Sequence, residues 1–271
     1  MKTRIITGLV AGAALLVVLF LPWTVVLTVV VSVICGIAVH EVLSATKMVG
    51  NRGLKILAVV FALIAPFFDR MTPMKVVTVC LVYVLAVVLL YLRYHDALPL
   101  EKVGGVFLLS VMIAVSLSSL SYLRNAGTHG LFYVFIALII SWVSDIGAYF
   151  VGTFFGKHKL CPNISPKKTV EGLIGGIGCS ILISLFAGFL YQAVFLNEGA
   201  VSYWTIFGLA LIGAPLSVMG DLFASLIKRR CGIKDFGRLF PGHGGVMDRF
   251  DSLLFVLPLV YFAVRFLPII Y

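Results

Sequence analysis

Charged residues are scarce in this 271-residue sequence, at 12%, whereas hydrophobic residues make up 61% and the mean hydropathy is +1.13. Soluble globular domains carry roughly 25% charged residues, so this composition excludes one. Several apolar runs approach the length of about 20 residues that a spanning helix needs, and they lack the alternation typical of strands. The sequence therefore predicts an all-α, polytopic transmembrane helical bundle.

Cysteine-pairing signals are also missing. The five cysteines form no CxxC pair, and Cys35, Cys80 and Cys179 lie inside apolar runs. Free cysteine behaves as a small hydrophobic residue, so we expect no disulfide framework. The sequence contains no low-complexity tract and no long linker. It predicts a single integral membrane domain, 1–271, with N-terminal spans in 1–123 and a catalytic half in 124–271.

The net charge of +10 is not gathered in a compact basic domain, which excludes nucleic acid as a partner and favours the lipid bilayer. Gly, Pro and charge clusters divide the chain into about nine spans, with eight or ten as alternatives. The predicted spans are 5–21, 24–45, 54–68, 74–92, 104–123, 131–151, 172–195, 203–224 and 250–270.

The connections between these spans predict the orientation. With the N-terminus inside, 17 Lys and Arg residues fall on the cytoplasmic side and 4 on the other side. This asymmetry follows the positive-inside rule. The two longest cytoplasmic connections, 152–171 and 225–249, are rich in Gly and Lys, so we expect a polar cavity facing the cytoplasm.

The stretch from Ser225 to Asp251 is the longest polar passage in the chain. Asp221, Ser225 and Lys228 fall at helical spacing, and Asp248 and Asp251 would share a face if Asp248 opens the last helix. Three carboxylates among cations suit a polyphosphate held through a divalent metal. An all-oxygen site of Asp221, Asp248 and, as an open alternative, Asp251 suits Mg²⁺.

A second polar passage precedes the run after Gly172. Ser165, Lys167 and Lys168 lie next to Thr169, which signals a helix start, and helix N-termini favour phosphate. A solvated loop is the alternative for this passage.

Two acidic residues lie within apolar helices. Asp145 predicts a functional site, because a carboxylate at that depth is costly unless it faces a cavity or a partner. A structural ion pair is the alternative. Glu41, next to His40 at the end of a span, is interpreted as half of an interfacial hydrogen-bonding pair, with contact to a lipid head group as the alternative.

His243 is followed by Gly244 and Gly245, whose lack of side chains lets an anion approach the backbone amides. No second His accompanies it, so we interpret His243 as a substrate contact more readily than as a metal ligand.

These motifs resemble the signature of the phosphatidate cytidylyltransferases, the CDP-diacylglycerol synthases. The signature runs from Ser225-x-x-Lys228-Arg229 through Lys234-Asp235 to Pro241-x-His243-Gly244-Gly245-x-x-Asp248-Arg249-x-Asp251. The upstream SDxxAYxxG, from Ser144, and SPKKTxEG, from Ser165, are also similar to family elements. The resemblance covers about the C-terminal half of the chain.

The resemblance implies a multi-pass enzyme of the cell inner membrane that joins CTP and phosphatidic acid into CDP-diacylglycerol and pyrophosphate. It implies Mg²⁺ held by Asp221 and Asp248, and leaves open a monovalent cation such as K⁺ and a homodimer. We expect catalytic roles for Asp221, Asp248, Asp251 and Lys228. Substrate contacts are expected from Asp145, Ser165, Lys167, Lys168, Ser225, Arg229, Lys234, Asp235, His243, Gly244, Gly245 and Arg249.

Three other functions compete with this interpretation. A transporter fits the Gly-interrupted spans and Asp145 but leaves the HGGxxDRxD run unexplained. A CDP-alcohol phosphatidyltransferase would resemble a DGxxAR run, which is absent. A membrane scaffold has little use for three carboxylates among cations.

Overall fold

The computed structural model describes residues 12–13, 16–21, 24–47, 51–240, 242 and 244–271. These residues group into two compact units. The first holds residues up to 125 together with 227–250, and the second holds 126–226 together with 251–271. The sequence places the catalytic half in 124–271, whereas the structure groups most of the signature stretch with the N-terminal unit.

The described part of the chain is mostly helical. Its elements are, in order, α1 (Thr24–Ala45), α2 (Arg52–Ile64), a 3-10 helix (Ala65–Arg70), α3 (Pro73–Arg93), α4 (Leu100–Arg124), α5 (Gly130–Phe155), β1 (Lys159–Cys161), β2 (Ser165–Thr169), α6 (Val170–Phe195), α7 (Tyr203–Arg230), α8 (Met247–Phe250) and α9 (Leu253–Phe266).

Six of these helices are long and apolar enough to cross a membrane, namely α1, α3, α4, α5, α6 and α7. The chain is therefore a multi-pass membrane protein. Two predicted spans are shorter than expected: α2 has 13 residues and α9 has 14. Pro66 lacks an amide hydrogen, and the chain continues past Ile64 as a 3-10 helix. The predicted span 5–21 lies largely outside the described residues.

Hydrogen bonds between helices hold the first unit together. The hydroxyls of Thr28 in α1 and Ser121 in α4 are 2.8 Å apart, and Ser32 of α1 donates to the Leu63 carbonyl of α2. Tyr83 of α3 bonds to Ser110 of α4 at 2.6 Å. In lipid, where apolar contact alone drives association weakly, such bonds and close packing hold helices together.

Small residues bring the helices of the second unit together. A side chain at Gly176 of α6 would collide with the Ser144 carbonyl of α5, so glycine allows the two backbones to approach closely. Ser141 of α5 lies 3.2 Å from the hydroxyl of Ser217 in α7 and 3.0 Å from that of Ser252. These contacts fix the helices that carry Asp145 and Asp221.

The β1–β2 hairpin departs from a purely all-α fold. Its strands are antiparallel, with Lys159 opposite Thr169 and Cys161 opposite Ser165. Strands of three and five residues are too short for an alternating pattern to show, and β2 is mostly polar. The sequence therefore predicts a loop for this segment, whereas the structure has a hairpin.

Candidate functional site

A cavity of about 490 Å³ opens within the second unit. Residues of α5, the hairpin, the start of α6 and α7 line it. Its lining contains five of the predicted site residues, and the polar residues that line it are Asp145, Tyr149, Thr153, Lys159, Ser165, Lys167, Lys168, Thr169 and Asp221. The structure thus brings together the intramembrane acid, the lysine-rich segment and the first acidic residue of the α7 stripe.

An ion pair crosses this cavity. The Lys168 ammonium lies 2.6 Å from an Asp221 carboxylate oxygen, and both side chains are partly exposed, at 21% and 30%. The ammonium nitrogen is buried and carries three N–H donors, of which this one carboxylate oxygen engages at most one. Lys168 therefore keeps donors for an oxygen-rich ligand.

Asp145 is half-buried on α5 and interacts electrostatically with both Lys168 and Asp221. Two carboxylates consequently face one buried ammonium, a charge pattern that a cation or a further lysine would balance. Lys159, on β1, lines the same cavity and is a cation that the sequence did not predict as a site residue. Its signal was weak, because it lies outside the SPKKTxEG motif.

Local contacts of Glu171 fix the hairpin. Its carboxylate accepts the backbone N–H groups of Lys157, at 3.1 Å, and His158, at 3.2 Å, and lies 2.6 Å from the His158 ring nitrogen. This acidic residue in the first turn of α6 thereby holds the segment before β1 and orients the hairpin that carries the cavity lysines.

Thr169 caps α6, as the sequence predicts. Its hydroxyl accepts the Gly172 N–H at 3.1 Å and is buried. The cap sets the first turn of α6 next to Lys167 and Lys168.

Thr169→Ala is expected to lower the free energy of unfolding by about 1 kcal/mol, because an N-cap acceptor is lost. Thr169→Ser keeps the hydroxyl and should stay within a few tenths of a kcal/mol. Thermal unfolding of the detergent-solubilised variants measures both. Equal losses in the two variants would show that the methyl group, rather than the cap, stabilises this turn.

Asp248 lies in the first unit, where three donors surround it. It accepts from the Lys228 ammonium at 2.8 Å, from the Phe236 N–H at 2.8 Å and from the Gly245 N–H at 3.0 Å. Its side chain is 2% exposed. The structure therefore gives Asp248 an anchoring role in the signature stretch, and it lies in the turn α8 rather than at the start of a long final helix.

The remaining predicted residues lie around these two sites. Ser225 donates to Asp221 at 3.4 Å, and Asp251 accepts the Ser252 N–H at 2.9 Å before α9 begins. Gly244 has a φ of +88°, a conformation that favours glycine. The exposed members are Arg229, Lys234, Asp235 and Arg249. His243 lies outside the described residues.

The structure contradicts the interpretation of Glu41 as an interfacial residue. It is buried, and its carboxylate accepts the Met247 N–H at 3.1 Å. The two residues are 206 positions apart, so no local pattern links them. Across the described ranges, no three His, Cys, Asp or Glu side chains gather as a ready-made metal cluster.

Known proteins match this chain, one of them over nearly its full length and others over about half of it. A model of the Cytidylyltransferase family matches residues 2–267. A phosphatidate cytidylyltransferase of Bacillus subtilis (strain 168) is 35% identical over 277 residues, 97% of each chain. One from Staphylococcus aureus (strain COL) is 47% identical over 133 residues, 49% of each chain, and one from Staphylococcus saprophyticus is 43% identical over 139 residues, 51% of each chain. The chain belongs to the cytidylyltransferase family.

Proposed function

We infer that this enzyme transfers the cytidylyl group of CTP to phosphatidic acid, giving CDP-diacylglycerol and pyrophosphate for phospholipid biosynthesis. The observation that carries this function is the cavity of the second unit, where Lys167 and Lys168 face Asp145 and Asp221 in a membrane protein. A relative that matches 97% of this chain is named phosphatidate cytidylyltransferase.

The main requirement of this reaction is that the protein binds two polyanions, CTP and phosphatidate, next to each other. A phosphate oxygen of the lipid attacks the α-phosphorus of CTP, and the bond to the pyrophosphate oxygen breaks. A phosphate monoester has a second pKa of about 6, so the attacking oxygen is already largely anionic at neutral pH. No protein nucleophile or strong base is required, and positioning and charge stabilisation supply the rate.

The cavity lysines match that task. We propose that Lys168, whose ammonium has unused donors, binds a phosphate oxygen directly, and that Lys167 and Ser165 add contacts at the cavity mouth. Asp145 orients Lys168 through its charge. We propose further substrate contacts from Ser225, Arg229, Lys234, Asp235, His243, Gly244, Gly245 and Arg249 on the basis of the signature.

The donor set at Asp221 fits Mg²⁺. Mg²⁺ prefers oxygen ligands and is usually bound through one or two carboxylates plus substrate phosphates. Asp221 is partly exposed in the cavity, and Asp145 lines the same cavity. When bound, the ion would neutralise charge on the phosphates. We propose Asp221 as a ligand. Asp248, with Lys228 and two amides at its oxygens, stays a sequence-based proposal, as do Asp251, the catalytic role of Lys228 and a K⁺ ion.

The orientation is also proposed from charge. The 17-to-4 distribution of Lys and Arg supports nine spans, an inner-membrane location and a polar cavity open to the cytoplasm, where CTP is available.

Lys168→Ala should raise the KM for CTP or phosphatidate about tenfold or more, because it removes a charged donor and leaves Asp221 repelling an anion. Lys167→Ala should have a smaller effect that weakens as salt rises, since Lys167 is exposed. Steady-state kinetics at two ionic strengths measures both, with the exposed Lys102→Ala as a matched control. Unchanged KM values in both variants would make this segment an ordinary positive-inside loop.

Purified protein in mixed micelles tests the function itself. We expect CTP consumption that depends on added phosphatidate and on Mg²⁺, with ATP a poor replacement. A transporter would consume no CTP under these conditions, so CTP consumption without phosphatidate, or none at all, would overturn the proposal.

A further inference from the structure

We propose that Glu41 is a positioning residue of the enzyme, which together with Asp248 holds the signature stretch in its working geometry. This inference rests on the proposed function for its kinetic consequence. Its structural basis lies within the first unit, where the end of α1 meets α8 and the peptide before it.

The Glu41 carboxylate lies in a buried position, where an uncompensated charge is costly. It is 8% exposed, near the end of an apolar helix, and it accepts the Met247 N–H at 3.1 Å. Met247 directly precedes Asp248. A buried carboxylate is costly unless donors satisfy it, so this contact belongs to a fixed arrangement rather than to a solvated surface.

Two glycines of the signature stretch lie directly next to the Glu41 carboxylate. A methyl group built on Gly245 or on Gly237 would collide with the Glu41 side chain. Glu41 therefore fills the space beside both backbones, and no larger residue fits at either position while Glu41 stays in place. This accounts for glycine at two positions with negative φ, where backbone conformation does not require it.

Asp248 completes the arrangement. It accepts the Gly245 N–H and the Phe236 N–H, while Glu41 contacts Gly245 and Gly237 and accepts the N–H of Met247. The two ends of the segment from Phe236 to Gly245 therefore each lie next to both carboxylates. These polar contacts act together with the buried side chains of Phe236, Val246 and Met247 to set the shape of the stretch.

The kinetic test compares Glu41→Ala, Glu41→Gln and the exposed control Glu101→Ala. Glu41→Ala should lower kcat/KM at least tenfold. Glu41→Gln keeps an acceptor oxygen and the side-chain volume and should stay within about threefold of the parent, which loss of general stability alone would not predict. Glu101→Ala should leave the activity unchanged. Equal kcat/KM values for Glu41→Ala and the parent would overturn the proposal.

The steric contact gives a second, sharper test. Gly245→Ala should lower kcat/KM at least tenfold in the parent but much less in the Glu41→Ala background, where the methyl group has room. This non-additivity is the signature of a direct contact. Losses that multiply would show that the two residues act independently and would contradict the proposal.

Hydrogen exchange separates this proposal from the proposed function. In nanodiscs, amides of residues 244–248 should exchange at least tenfold faster in Glu41→Ala than in the parent, while those of α4 should not change. That result in a protein without cytidylyltransferase activity would support the positioning contact and refute the function. Unchanged exchange at 244–248 would refute the positioning contact whatever the activity.

Discussion

Asp221→Asn is expected to lower turnover a hundredfold or more, equivalent to about 3 kcal/mol of transition-state stabilisation. Asparagine keeps the shape of the side chain and removes the charge that faces Lys168 in the cavity. If Asp221 holds Mg²⁺ next to the substrate phosphates, the neutral amide is a poor replacement. Steady-state turnover at saturating CTP measures the effect.

Two further results should accompany the loss. Thermal stability should change less than in Asp248→Asn, because the Asp221 side chain is 30% exposed whereas that of Asp248 is 2% exposed. The half-saturating Mg²⁺ concentration should rise. Asp96→Asn is the matched control, since Asp96 is 93% exposed. Near-normal turnover of Asp221→Asn at limiting Mg²⁺ would place the metal elsewhere and make Asp145 the next carboxylate to replace.

Asp248→Asn is expected to reduce both activity and stability, which distinguishes it from Asp221→Asn. The Asp248 side chain is 2% exposed and that of Lys228 is 12% exposed. Removing one charge of a buried pair leaves the other charge poorly compensated, at a cost on the order of 3 kcal/mol. The single amide oxygen of asparagine also cannot replace both carboxylate oxygens that accept from Lys228, Phe236 and Gly245.

The midpoint of thermal unfolding in detergent measures this effect, with Asp221→Asn and Asp96→Asn as references. Turnover should fall at least a hundredfold at a temperature where the variant stays folded. If Asp248→Asn lost turnover while unfolding at the parent temperature, Asp248 would act on the substrate or the metal rather than as an anchor.

Apolar run length predicted most of the helices well. Spans 24–45, 74–92, 104–123, 131–151, 172–195 and 203–224 all correspond to spanning helices, with ends shifted by a few residues. Local composition is enough to predict these helices, because every membrane span must be apolar over its own length. The helices α5 and α7 run past the predicted ends, to Phe155 and Arg230. In α7 the added residues include Lys228, Arg229 and Arg230, which are good helix formers although they are not apolar.

Contacts distant in sequence could not be predicted in the same way. The stripe of Asp221 and Ser225 is visible because helical spacing places its members together, and the structure has them 3.4 Å apart. The ion pair of Lys168 with Asp221 and the contact of Glu41 with Met247 depend on packing between separate elements. Glu41 was misinterpreted because its position near a helix end is equally typical of an interfacial residue.

The fate of labelled CTP shows directly whether the protein transfers a cytidylyl group. Purified protein is incubated with phosphatidate, Mg²⁺ and CTP labelled either at the α- or at the γ-phosphate. We expect the α label to enter the lipid as CDP-diacylglycerol and the γ label to leave as pyrophosphate in equal amount. Release of the γ label as free phosphate, or an unlabelled lipid in the α experiment, would contradict cytidylyl transfer.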